Sequence, residues 1–243
     1  MSFDKRGAPI CGVALVFALL ILMIGDAAGA TGPSGTVPGG VATGSKSKSR
    51  SARGRSPAWY FAFSGDSRDC GDAIMPKIAN SIRQSKPPVA FYWHLGDFRR
   101  MFQIDCDIIK RQFPDYDCKT RPPGVLAPDA FSNYAGTAWD DFIDHQLRPF
   151  GDLPVFLGIG NHELYAKKTR DDYRQKFQPW LMQKAIQDQR TKDAANGITA
   201  NSGDTYYHFV KNGVDFIALD NADQKSFNPA QVEWLIHVLE QDN

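Results

Sequence analysis

Three short apolar runs in this chain each stop at a glycine followed by a side chain that offers an oxygen donor, and that recurrence narrows the folds open to it. Trp59–Ser64 runs into Gly65-Asp66, Val89–Leu95 into Gly96-Asp97, and Pro154–Ile159 into Gly160-Asn161-His162-Glu163. Runs of this length bounded by turn residues read as buried strands. Between the first two, Ile74, Ile78 and Ile82 recur at fourfold spacing and predict a helix over Asp72–Gln84, with Pro76 in its first turn and Pro87-Pro88 barring its continuation. Another helix is expected over Ala138–Leu147, before the third strand. Strand, loop and helix in alternation mark an α/β fold, in which ligands collect beyond the carboxyl ends of the strands.

The rest of the chain fits around that rhythm. Phe113–Tyr134, with Pro114, Pro122, Pro123 and Pro128, reads as a loop insertion, and Lys168–Gln189 as a polar helical excursion over one end of the sheet. Thr205–Val210 and Val214–Leu219 flank Asn212-Gly213, the strongest hairpin signal present. A closing helix is predicted over Asn228–Glu240, with Val232, Leu235, Ile236 and Leu239 on one face.

The first 57 residues read differently. Lys5 and Arg6 precede an apolar run from Ile10 to Ile24, and Ala28-Gly29-Ala30 supplies the small residues a signal peptidase cuts after, so residues 1–30 read as a signal peptide and the chain as exported, periplasmic or secreted. An uncleaved anchor is the alternative, but the run is shorter than the ~18–20 residues a spanning helix needs. Thr31–Pro57 is nearly all Gly, Ser, Thr, Pro, Ala, Lys and Arg and reads as a disordered basic linker, because it cannot bury enough surface to offset the entropy of ordering. It carries Lys46, Lys48, Arg50, Arg53 and Arg55 with no acid, so a chain of net charge +1 has a mildly acidic domain over residues 58–243. Nothing there indicates a nucleic-acid-binding face.

Cys70, Cys106 and Cys118 remain after export, which suggests one disulfide and one free thiol, with Cys106 and Cys118 the favoured pair; three reduced cysteines are the alternative.

The strand-end residues carry the chemistry. Glycine lets the backbone turn sharply and approach a ligand, and carboxylates with an amide oxygen form a hard donor set for divalent metal. In order and type these residues resemble the calcineurin-like metallophosphoesterase superfamily, which includes the purple acid phosphatases and whose pattern is Asp-x-His, then Gly-Asp-x-x, then Gly-Asn-His-Glu, then two later histidine motifs. The resemblance runs from Trp59 to the end of the chain, and Gly213-Val214-Asp215-Phe216-Ile217-Ala218-Leu219-Asp220, leading to Gln231-Val232-Glu233-Trp234-Leu235, also belongs to it.

The resemblance implies two central β-sheets flanked by helices in a four-layer arrangement, and two divalent metal ions, of manganese, iron or zinc. Carried over by position, Asp66 would be a ligand of the first metal, Asp97 the bridging carboxylate and Asn161 a ligand of the second. His162 would contact the phosphate or assist the leaving group, with Glu163 orienting it. The implied reaction is attack on phosphorus by metal-activated water, making the chain a phosphatase or phosphodiesterase acting on a phosphorylated small molecule or nucleotide.

Two departures qualify that reading. Asp66-Ser67-Arg68 has arginine where the pattern has histidine, and the compensating tyrosine of purple acid phosphatases is replaced by Arg100. Arg68 could bind substrate phosphate as a planar fork, or form a salt bridge to Asp69 or Asp72. The second departure is at the C-terminus, where Asn243 precedes the two histidine motifs, so the domain reads as truncated. His94, His145, His208 and His237 are read as structural rather than as replacements. The rival functions are a catalytically impaired phosphoesterase-like binding domain and a Gly-Asp-Ser esterase with Ser67 as nucleophile, although the Gly-x-Asn-Asp block and late Asp-x-x-His of such esterases are missing.

Overall fold

The apolar runs form parallel strands, which need long crossovers between them, and helices supply those crossovers. In the computed structural model, which describes residues 58–118, 129–199 and 204–241, β1 (Tyr60–Ser64), β2 (Val89–His94) and β3 (Val155–Leu157) make a parallel sheet in the order β1-β2-β3. Helix α1 (Gly71–Gln84) connects the first pair, and α2 (Cys106–Gln112) and α3 (Ala130–Phe142) lie between β2 and β3. The signal peptide and linker read from the sequence lie outside the described residues.

Central β2 sends alternate side chains to opposite faces. Tyr92 and His94 face the helices: Tyr92 stacks on Phe150 at 4.3 Å and donates to Met75 Sδ of α1 at 3.7 Å, and His94 lies 5.4 Å from Phe142 of α3. Phe91 and Trp93 face the antiparallel hairpin of β4 (Tyr207–Lys211) and β5 (Val214–Ala218), whose Phe209 and Phe216 lie 5.4 Å and 5.0 Å from Phe91. Phe209 also stacks on Phe156 of β3 at 3.8 Å. The hairpin turns at Asn212-Gly213, both with positive φ (52° and 79°), as a tight two-residue turn requires. Ile217 and Tyr206 join Ile198, Trp234 and Val238 in a smaller cluster that seats α7 (Pro229–Gln241). The fold is thus mixed α/β, with a parallel sheet and an antiparallel hairpin sharing one aromatic core.

Several local expectations are corrected. The stretch read as a loop up to Tyr134 is helical from Ala130, because Tyr134 and Ala138 continue a fourfold spacing and are both buried. Residues 119–128 of that insertion lie outside the described residues, and α2, which ends at Gln112 just before it, is a helix the sequence reading does not anticipate. Pro76 sits inside α1 rather than in its first turn, so the carbonyl of Asp72 lacks its usual i+4 donor. The polar stretch from Lys168 forms α4 (Arg170–Lys176), α5 (Gln178–Leu181) and α6 (Lys184–Ala195), and it is not a mere surface excursion. Tyr173, Phe177 and Leu181, again four apart, are buried in the main core among Phe98, Phe142 and Trp139.

Cys106 and Cys118 form the expected disulfide, with Cα atoms 6.0 Å apart. The expected free thiol is not found, since Cys70 is also disulfide-bonded. Among the described residues no helix is long and apolar enough to cross a membrane.

Candidate active site at the strand ends

The turns after β1 and β2 place their aspartates in the left-handed region, with φ of 54° at Asp66 and 58° at Asp97. Such a backbone costs a non-glycine residue on the order of 1 kcal/mol, so the surroundings must hold it. Asp66 N–H donates to the carbonyl of Gly96 at 3.0 Å, which ties the first turn to the second. The second abuts the third: a Cβ on Gly96 would fall 2.5 Å from Gly160 N, and one on Gly160 would fall 2.2 Å from Asp97 Oδ1. Glycine is needed at both positions for that approach.

Glu163 fastens this junction from beneath. Its Oε2 accepts from Asp97 N–H at 2.8 Å and Gly160 N–H at 2.7 Å, and its Oε1 from Phe98 N–H at 2.9 Å. Burial pushes its carboxyl up to about 7, against the pull of those three backbone donors. The expectation that Glu163 orients the His162 ring is therefore corrected, because both of its oxygens are committed to the backbone. The ring is held by Arg100 instead: His162 Nδ1–H donates to the Arg100 carbonyl at 2.6 Å, while His162 backbone N–H donates to Asp97 Oδ1 at 3.1 Å.

With the proton on Nδ1, Nε2 carries the lone pair, and it accepts from Arg68 Nη1. The same guanidinium donates through Nη2 to Asp66 Oδ1 and lies 3.3 Å from Asp97 Oδ2. Arg68 thus joins Asp66, Asp97 and His162, and it pairs with neither Asp69 nor Asp72, which are taken by Arg100 and Arg99. Asp66 has its carboxyl raised by burial and by neighbouring Asp97, with Arg68 opposing, and its side chain remains 62% exposed. Asn161 donates from Nδ2 to Tyr165 Oη at 3.0 Å, an orientation that leaves its Oδ1 as the atom to offer a cation.

The structure therefore brings Asp66, Arg68, Asp97 and His162 into direct contact, with Asn161 beside them and Glu163 below. The oxygens of Asp66, Asp97 and Asn161 suit a hard divalent cation, but Arg68 already lies between the two carboxylates, so their charge is partly met. Among the described residues the one close set of three ionisable donors is elsewhere, at Asp72, Asp141 and His145, where Arg99 and Arg111 already pair with both aspartates.

Ser67 is not set up as a nucleophile. His94 Nδ1 accepts from Gly96 N–H at 3.3 Å, so Nε2 bears the proton and donates to Ser67 Oγ at 2.9 Å, while the hydroxyl donates to the Phe98 carbonyl at 3.3 Å. A base for serine needs the opposite tautomer and a third group behind it. Burial also drives His94 down to about 3. Of the other histidines, His208 is buried between Asp193 and Asp215, His145 sits beside Asp141, and His237 is exposed on α7.

Sequence reasoning missed the Arg100 carbonyl and the phenol of Tyr165, since a backbone acceptor carries no residue signature and Tyr165 falls outside any motif. No protein-family model matches the chain, and no curated protein matches it.

Proposed function

We propose that this protein is a metal-dependent phosphoester hydrolase with the four-layer architecture of the calcineurin-like metallophosphoesterases. The observation that carries the reading is the contact of Arg68 with Asp66, Asp97 and His162 at the carboxyl ends of adjacent parallel strands. The layering is supported by α1 and α3 on one side of the parallel sheet, the hairpin on the other and α7 beyond it.

Asp97 and Asn161, with Asp66, would hold a divalent cation, and the pairing of Arg68 with both carboxylates favours one cation over two. A bound cation supplies Lewis-acid polarisation of the phosphoryl group and activation of water. Arg68 presents a planar fork to the phosphoryl oxygens, a geometry lysine does not offer. His162, with Nδ1–H held by the Arg100 carbonyl, directs the lone pair of Nε2 into the site, where it would take a proton from the attacking water and pass it to the leaving oxygen. Glu163 keeps the two turns together while this happens. Export is supported by the signal-like N-terminus and by the Cys106–Cys118 disulfide, which suits an oxidising compartment.

A second reading, a domain that binds phosphorylated ligands without turnover, draws on the same ion pairs, since Arg68 neutralises carboxylates that metal catalysis would need. Phosphate release from a chromogenic phosphomonoester separates these readings from a serine esterase. The hydrolase reading expects His162→Ala to lower turnover by about 100-fold or more and Ser67→Ala to leave it within a few-fold. Loss of turnover in Ser67→Ala alone would favour the esterase, and metal-loaded wild type that binds phosphate without turnover would favour the binding domain.

A further inference from the structure

We propose that Phe102 and Tyr165 form a stacking platform that selects a nucleoside 5′-monophosphate as the ligand of this site; the inference rests on the phosphoester reading. Singly exposed apolar side chains are ordinary on a protein surface, and it is clustered ones that point to a ligand; Phe102 is 52% exposed and Tyr165 is 38% exposed. They are not scattered. Their rings meet edge to face at 5.8 Å, and each lies against His162, at 5.4 Å for Phe102 and 5.0 Å for Tyr165.

The backbone projects Phe102 outward by construction. Met101 turns at φ 58° with its side chain buried and its N–H on Tyr134 Oη at 3.1 Å, and Phe102 N–H donates to the Arg100 carbonyl at 2.8 Å. Tyr165 is held by its phenol, which accepts from Asn161. A backbone held at Phe102 and a phenol held at Tyr165 reduce the freedom lost when a ligand stacks there. The Arg100 guanidinium, tethered by Asp69, lies 5.8 Å from the Phe102 ring centre and adds a cation at the platform's edge. A flat, electron-rich base matches both an aromatic face and an adjacent guanidinium, whereas an alkyl chain would use only the first.

The ligand must engage two features at once. His162 Nε2 faces Arg68 and marks the leaving oxygen, and the rings of Phe102 and Tyr165 pack against the same imidazole. A nucleoside 5′-monophosphate carries a phosphate and a flat base on one small scaffold, with the ribose joining them.

The test compares AMP with ribose 5-phosphate, which share the phosphate and the primary alkoxide leaving group and differ in the base alone. Calorimetric Kd on the full chain should be at least about tenfold tighter for AMP, in line with the ~1–3 kcal/mol of a stacked base. Phe102→Ala and Phe102→Leu should remove that preference while leaving ribose 5-phosphate binding unchanged, and Phe102→Trp should retain it. Equal affinities in the wild type, no binding of either ligand, or a preference that survives Phe102→Ala would each overturn the proposal. Phe102-dependent preference for AMP without hydrolysis of either compound would uphold the platform and reject the hydrolase reading.

Discussion

His162 Nδ1 donates to the main-chain carbonyl of Arg100 at 2.6 Å, and this one bond decides which ring nitrogen faces the site. The carbonyl is itself held in place: Asp105, fully buried, accepts from Arg100 N–H at 3.1 Å, Asp69 N–H at 2.8 Å and Tyr134 O–H at 2.5 Å. Burial raises the Asp105 carboxyl, while Arg99 and those donors pull against the rise.

Replacing Asp105 with alanine leaves these donors buried without an acceptor. Asp105→Ala should lose about 2–4 kcal/mol of stability, read by denaturant unfolding, given ~1–3 kcal/mol for each unsatisfied buried group and incomplete additivity. At concentrations where the variant is still folded, activity should fall through disorder of His162.

Glu163→Gln tests the clamp between the two turns. Three N–H groups converge on Glu163, so an amide NH2 must face a donor at one oxygen position. The expected cost is about 1–3 kcal/mol in unfolding free energy. An unchanged stability would mean that the turns hold without it.

His208 predicts a pH dependence of stability. It is buried against Asp193 Oδ2 at 2.8 Å and Asp215 at 2.9 Å; burial disfavours its charge, but the hydrogen bonds and charges of the two aspartates win and raise it above the usual histidine value. Its folded value therefore lies above the unfolded ~6.5. The stabilisation is fully present below about pH 6.5 and is lost as pH rises through the folded value. The melting temperature should decline across that window, and His208→Gln should flatten the decline. A melting temperature that rose there would contradict the pairing.

Phe209 joins the two sheets through its stack on Phe156 and its edge contact with Phe91. Phe209→Ala should cost about 3–5 kcal/mol, a loss measurable by thermal or denaturant unfolding. A much smaller loss would mean that the sheets are held together by other contacts.

The strands and the hairpin were legible because burial on a sheet leaves short apolar runs, and because Asn212-Gly213 meets the φ demands of its turn. The core role of α4 and α5 was hidden, since Tyr173, Phe177 and Leu181 are single apolar residues in a polar stretch and their spacing is outweighed by composition. The residues that meet at the candidate site, Asp66, Asp97 and His162, lie in Gly-Asp and Gly-Asn-His-Glu, which the sequence displays. Their wiring could not, because Arg100 acts on His162 through its carbonyl and Glu163 acts through backbone N–H groups that every residue shares. The sequence admits either phosphate or the neighbouring aspartates Asp69 and Asp72 as the partner of Arg68, and only the geometry shows it turned toward Asp66 and Asp97.

Hydrolysis of a chromogenic phosphomonoester by the full chain, with and without Mn2+, in wild type and Asp97→Asn, is the most direct test of the account. The account predicts turnover that a chelator abolishes and Mn2+ restores, reduced by about 100-fold or more in Asp97→Asn. Turnover that is indifferent to the chelator and to Asp97→Asn would contradict it.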